Sequence, residues 1–228
     1  MDKVLNVLKN VGILLGVLLL FLVGPTIVRS LIELTSIKNE MVISVLSSFV
    51  VALVIGFIFI KDIVKDFKTF KENIKDNMRF AFKCWAIGLI VMMFSNYVIN
   101  FIIFKGQSIA GNEEAVRNTL LLSPVLGMIS AGLVAPFSEE LTFRMNFRKV
   151  FTKMLPFAFA STFVFAGLHV LTDFNSALDL LYFIPYGSLG FAFAICYYKT
   201  NNIFPSMFMH MLHNVLTFGL VIITYLGV

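Results

Sequence analysis

The chain has 228 residues, 59% of them hydrophobic and only 14% charged, with a mean hydropathy of +0.91. A soluble domain of this size is nearer half apolar and a quarter charged, so a water-soluble globule is excluded and an all-α, polytopic transmembrane bundle is left. The net charge of +5 does not point to nucleic acid, because the basic residues sit in short connections between apolar runs.

Seven segments are apolar and long enough to cross a bilayer, where about 20 residues are needed. In chain order they are roughly 11–34, 41–60, 82–104, 119–137, 154–171, 180–198 and 203–227. The first follows Lys3 and Lys9 like a secretory signal, but no small-residue cleavage site comes after it, so it reads as a retained anchor. Between the second and third spans, Ile63, Phe67, Phe70, Ile74 and Met78 recur at helical spacing among lysines. This predicts an amphipathic helix over 61–80 on the cytoplasmic leaflet, with membrane lipids as partners. The fourth segment runs on into SEELTFR, residues 138–144. An eighth, re-entrant or split helix would escape such a count.

Basic residues set the orientation. They crowd the second connection (Lys61, Lys65, Lys68, Lys71, Lys75, Arg79, Lys83) and the fourth (Arg144, Arg148, Lys149, Lys153), which places the N-terminus inside and the C-terminus outside. Cys84 and Cys196 lie in or near spans as reduced packing residues, with no disulfide or metal framework. The chain reads as one unit: residues 1–118 form the N-terminal spans and the interfacial helix, and residues 119–228 carry most of the polar groups at membrane depth.

Ionisable residues inside spans are expensive and by default mark function. Here they are Glu139, Glu140, Arg144, His169, His210 and His213, joined by Asn214; all three histidines of the chain are among them. Asn96 and Asn100 are expected to bond between helices, and Arg29 with Glu33 to form an i,i+4 pair. Glu139 and His169 are thirty residues apart around the break RKVFTKMLP, so an antiparallel hairpin turning there brings them to one level. Glu140 and Arg144 are spaced i,i+4 in the favourable order for an ion pair. Glu139, rotated by about 100° on the helix, lacks a local cation, so its carboxyl is expected to hold its proton more tightly and to serve as a general base. His210 and Asn214 share a face and could bind water or an oxyanion. Taken singly, each has a structural alternative: an ion pair that holds the bundle, or a hydrogen-bonded packing histidine. His213 could also be a second metal ligand.

Together, E-E-x-x-x-R (Glu139, Glu140, Arg144), F-x-x-x-H (Phe165, His169) and H-x-x-x-N (His210, Asn214) resemble the motif set of the CPBP intramembrane proteases. These are the CAAX-protease and bacteriocin-processing, or Abi, proteins, which include the type II CAAX prenyl endopeptidases. The resemblance covers about residues 119–220. It implies a glutamate-dependent peptidase in which Glu139 activates water, His169 helps to hold that water, and His210 with Asn214 stabilises the oxyanion. Glu140, Arg144 and Phe165 are implied as supporting residues. No cofactor is expected; zinc, if used, would fall to Glu139, His169 and His210, although there is no HExxH. The substrate would be a membrane-associated protein or a peptide: a prenylated C-terminus, or in a bacterium a leader or signalling peptide. Thirteen lysines to five arginines suggest an AT-rich, bacterial genome. Two other classes compete: a non-catalytic membrane scaffold or bacteriocin self-immunity protein with the same fold, and a proton-relaying transporter, against which the lack of an inverted repeat speaks.

Overall fold

The computed structural model describes residues 2–106, 111–172 and 174–226; of the positions named above, the Lys3 side chain and residue 227 fall outside them. The described residues are mostly helical, with no strand among them. Helix α1 is Asp2–Glu33, α2 Glu40–Ile58, α3 Ile60–Glu72 and α4 Ile74–Ile103. Helix α5 is Gly111–Leu122, α6 runs over residues 124–150, and α7 is Met154–Leu171. A 3₁₀ turn, Ala177–Tyr182, leads into α8, Phe183–Thr200, and α9 is Ile203–Leu226.

Six stretches among the described residues are long and apolar enough to cross a membrane: Val4–Glu33, Glu40–Ile58, Ile74–Ile103, Met154–Leu171, Ala177–Thr200 and Ile203–Thr224. The chain is a multi-pass membrane protein. The fourth expected span differs from its reading. Ser123 is extended (φ −153°, ψ 88°) and Pro124 opens a new helix, as proline at a first turn does. Residues 119–122 therefore close the short α5, and the motif sits on a separate α6, a split that hydropathy alone passes over. The amphipathic helix is also shorter than expected: Asn73 (φ −134°, ψ 33°) ends it after Glu72, and residues 74–80 already belong to α4.

Helix α6 is the axis of the bundle. Every residue from Glu140 to Phe147 is buried, and α1, α2, α7 and α9 pack around it. The outer helices turn apolar side chains such as Ile87, Ile90 and Phe94 outwards, as lipid-facing helices do. The axis is not a regular α-helix. It widens to π-helical turns over Met128–Val134 and Glu140–Asn146, and the second of these holds most of the motif. π-Helical turns are rare and gather at functional sites.

Two junctions fix the other elements around this axis. At Gly88 of α4, a Cβ atom would stand 2.9 Å from the Ala192 Cβ, so glycine permits the close approach to α8. Ser188 Oγ donates to the Gly88 carbonyl at 3.2 Å across the same contact. At the start of α9, the turn from α8 is made by Asn201 in the left-handed region (φ 47°), which asparagine tolerates. Asp66 of α3 then accepts from the Ile203 N–H at 2.9 Å and caps α9, while Asn202 Nδ2 donates to the Asp66 carbonyl at 2.6 Å. Burial pushes the Asp66 carboxyl above its ordinary value, partly offset by the bond from Ile203. The polar side of α3 is thus tied to the bundle. Arg29 pairs with Glu33 at 2.8 Å, as its spacing suggests, and also with Glu40. Asn100 accepts from Tyr182 at 2.7 Å, the expected bond between helices.

Candidate active site

The hairpin of α6 and α7 turns at residues 151–153 and brings Glu139 Oε1 to 4.0 Å from His169 Nε2. His210, on α9, brings its Nε2 to 3.6 Å from Glu139 Oε2. One carboxylate from the axis therefore stands between imidazoles from two flanking helices. The other nitrogen of each ring is already engaged. His169 Nδ1 is 2.8 Å from the Phe165 carbonyl, which can only accept, so Nδ1 carries the proton. His210 Nδ1 is 3.0 Å from Glu140 Oε1. Beside the cation Arg144 that carboxylate is the acceptor, so Nδ1 again carries the proton. Both Nε2 atoms face Glu139 at distances too long for a direct hydrogen bond.

The two adjacent glutamates have different surroundings. The Glu139 side chain is 12% exposed and that of His169 19%, whereas Glu140 and Arg144 are both at 0%. Glu140 Oε1 lies 3.6 Å from Arg144 Nε, so the i,i+4 ion pair survives the π-helical widening. The guanidinium also lies over the Phe165 ring, at 5.0 Å. That ring in turn packs on the His169 imidazole at 4.3 Å between centroids and edge-on to His210 at 6.1 Å. Phe165 is thus an apolar wedge between the Arg144 guanidinium and the two imidazoles. Phe193 of α8 stacks on His210 at 4.9 Å, and Tyr186 stands 5.0 Å from His169.

Asn214 is brought to α6, but its Nδ2 donates to the Ala131 carbonyl at 2.8 Å, within the first π-helical turn. One amide hydrogen is therefore spent on the backbone and one is left. His213 forms no ion pair with either glutamate among the described residues. Nor do three His, Cys, Asp or Glu side chains among them group so as to hold a metal ion, Glu139, His169 and His210 included. A cavity of about 100 Å³ lies elsewhere, between α3, the end of α6 and the α8–α9 turn, lined by Lys65, Arg148, Lys149 and Tyr197 among others.

Sequence reading misses Ser161, Tyr186, Phe193 and Asp66. Ser161 accepts from Arg144 Nη1 at 3.0 Å and donates to the Phe143 carbonyl at 2.6 Å. The signal available for it was its place one turn before Phe165 and two before His169, on the same face of α7.

Residues 121–216 match the family described as type II CAAX prenyl endopeptidase Rce1-like. That segment holds all three motifs. Among curated proteins, the "Putative membrane peptidase YdiL" of Bacillus subtilis is 27% identical over 173 residues, 73% of this chain and 66% of its own length. Two Lactococcus lactis proteins named only as UPF0177 members also match. YxdF is 29% identical over 55% of this chain and 70% of its own, and YvdC 30% identical over 49% and 40%. The matched part of the chain thus spans about two thirds of the YdiL relative. No solved structure matches. The expected resemblance to the CPBP proteins is thus met by a match over residues 121–216, and the all-α membrane bundle stands.

Proposed function

We propose that the protein is an intramembrane endopeptidase, hydrolysing a peptide bond of a membrane-associated protein or a peptide with water activated by Glu139. One observation carries this reading: a water-reachable carboxylate faces two Nε2 atoms at 3.6 and 4.0 Å, gaps suited to a bridging water. In the proposed reaction Glu139 takes a proton from that water while His169 Nε2 aligns it. The hydroxide oxygen bonds to the peptide carbon, and the carbonyl π pair moves to oxygen. The proton on Glu139 then passes to the amide nitrogen as the C–N bond breaks, leaving a carboxyl and an amine terminus.

The oxyanion falls to His210 and the uncommitted amide hydrogen of Asn214. With its Nδ1 proton held on Glu140, His210 donates from Nε2 only as the imidazolium, and that positive ring needs an anion behind it. Glu140 is placed to be that anion, as a buried acid supports the imidazolium of a hydrolytic triad. Arg144 and Phe165 then act as supports, Arg144 by balancing the Glu140 charge and Phe165 by standing between the guanidinium and the imidazoles. No step calls for a metal. The names of the relatives, a type II CAAX prenyl endopeptidase-like family and a membrane peptidase, support the reaction class and leave the substrate open.

The deciding experiment compares peptide termini in membranes of cells carrying the wild-type protein with those carrying Glu139→Gln at equal abundance. Termini found only with wild type establish the peptidase and identify its substrate class. Identical termini with the cellular phenotype kept remove Glu139 as base and favour a binding or self-immunity scaffold.

A further inference from the structure

Arg144 is fully buried and has five N–H donors, yet among the described residues its one hydrogen bond is from Nη1 to Ser161 Oγ, at 3.0 Å. Its Nε and Nη2 have no hydrogen-bond partner among the described residues, and its approach to Glu140 stops at 3.6 Å. A guanidinium this dry would gain by closing on the carboxylate as a two-pronged pair. Ser161, also fully buried, anchors its own hydroxyl on the Phe143 carbonyl at 2.6 Å and offers its lone pair to Arg144. Serines in the apolar helices of this chain commonly turn back on their own helix, Ser188 with its bond across to Gly88 being an exception. Ser47, Ser95 and Ser138 each donate to the carbonyl four residues back, at 2.7, 2.8 and 3.1 Å. Ser161 instead bonds twice to α6.

We infer that Ser161 is a positioning residue: it fixes the Arg144 guanidinium so that Glu140 Oε1 stays available to His210 Nδ1. Without the serine, Arg144 swings onto Glu140, Oε1 turns from His210, and the ring loses the contact that keeps its proton on Nδ1. The polar chain thus runs from the Phe143 carbonyl through Ser161, Arg144 and Glu140 to His210, and ends at Glu139. The catalytic consequence rests on the role proposed for His210; the structural one does not.

With only three histidines in the chain, ¹⁵N-histidine labelling gives three sets of ring signals, each assigned by substituting one histidine. In the wild-type protein in detergent, His210 carries its proton on Nδ1. In Ser161→Ala the Nδ1-protonated form loses its dominance and the two tautomers mix, while His169, held by the Phe165 carbonyl, keeps its signals and reports an intact bundle. Product termini fall on the order of tenfold at equal abundance, the size usual for a group acting through another side chain. His210 signals identical in wild type and Ser161→Ala would overturn the inference, as would a wild-type His210 without the Nδ1 proton. If the alanine variant does not fold, Ser161→Cys keeps the volume with a poor acceptor and has the same two outcomes. The tautomer is read without substrate. A failure of the peptidase reading in the Glu139→Gln comparison is therefore separate from a failure here.

Discussion

The two adjacent glutamates should fail in opposite ways when each is changed to glutamine. Glu140 has no exposure and stands between Arg144 at 3.6 Å and His210 at 3.0 Å. Glu140→Gln keeps the shape but leaves the Arg144 charge buried without its counter-ion, a loss of about 3–5 kcal/mol for breaking a buried pair. For a chain of this size that lowers the melting temperature by roughly 10 °C. Glu139 is 12% exposed and forms no ion pair with an arginine or lysine among the described residues, so Glu139→Gln should cost no more than about 1 kcal/mol while ending hydrolysis. The chain supplies its own reporter. Cys196 is fully buried and Cys84 partly so, and a thiol-reactive fluorophore lights up as the bundle opens on heating. Adding Arg144→Met to Glu140→Gln should recover most of the stability, because the stranded charge goes with its partner. Equal melting losses for the two glutamine variants, or no recovery in the double variant, would refute this account of the pair.

Other outcomes follow from the same geometry. Gly88→Val forces branched carbons into the 2.9 Å approach to Ala192 and should cost about 1–3 kcal/mol through overpacking, read in the same melting assay. Asp66→Ala removes the cap on Ile203 and should cost about 0.5–2 kcal/mol, whereas Asp66→Asn keeps an acceptor oxygen and costs less. The raised Asp66 carboxyl also sets a pH trend. Native protein takes up this proton at a higher pH than the unfolded chain, whose ordinary value is 3.8. Stability relative to Asp66→Asn should therefore rise as pH falls from neutral towards that value, and fall again as pH rises through the native value. A difference between the two that does not vary with pH would contradict it. Finally, the glutamate route expects product termini to persist after treatment with phenanthroline; loss restored by zinc would reassign Glu139, His169 and His210 as metal ligands.

The parts of this site that could be read from the sequence are those that depend on counting along one helix or across one hairpin. Thirty residues around a break put Glu139 level with His169, and four residues put Arg144 beside Glu140; both hold, at 4.0 and 3.6 Å. What counting cannot supply is which partner a polar side chain chooses once helices pack. Asn214 was legible as a neighbour of His210, but its bond to Ala131 depends on a π-helical turn that leaves no mark in hydropathy. The break before Pro124 did carry a local signal, since a residue preceding proline is pushed out of the helical region. It was masked by the unbroken apolar run on either side. Ser161 is the hardest case. A serine within an apolar helix ordinarily returns its hydroxyl to its own backbone, so in sequence it looks the same as Ser47, Ser95 or Ser138. Only the burial of Arg144 distinguishes it. A charge that cannot reach water must collect its hydrogen bonds from whatever surrounds it, and on α7, among phenylalanines, it takes the Ser161 hydroxyl into the site.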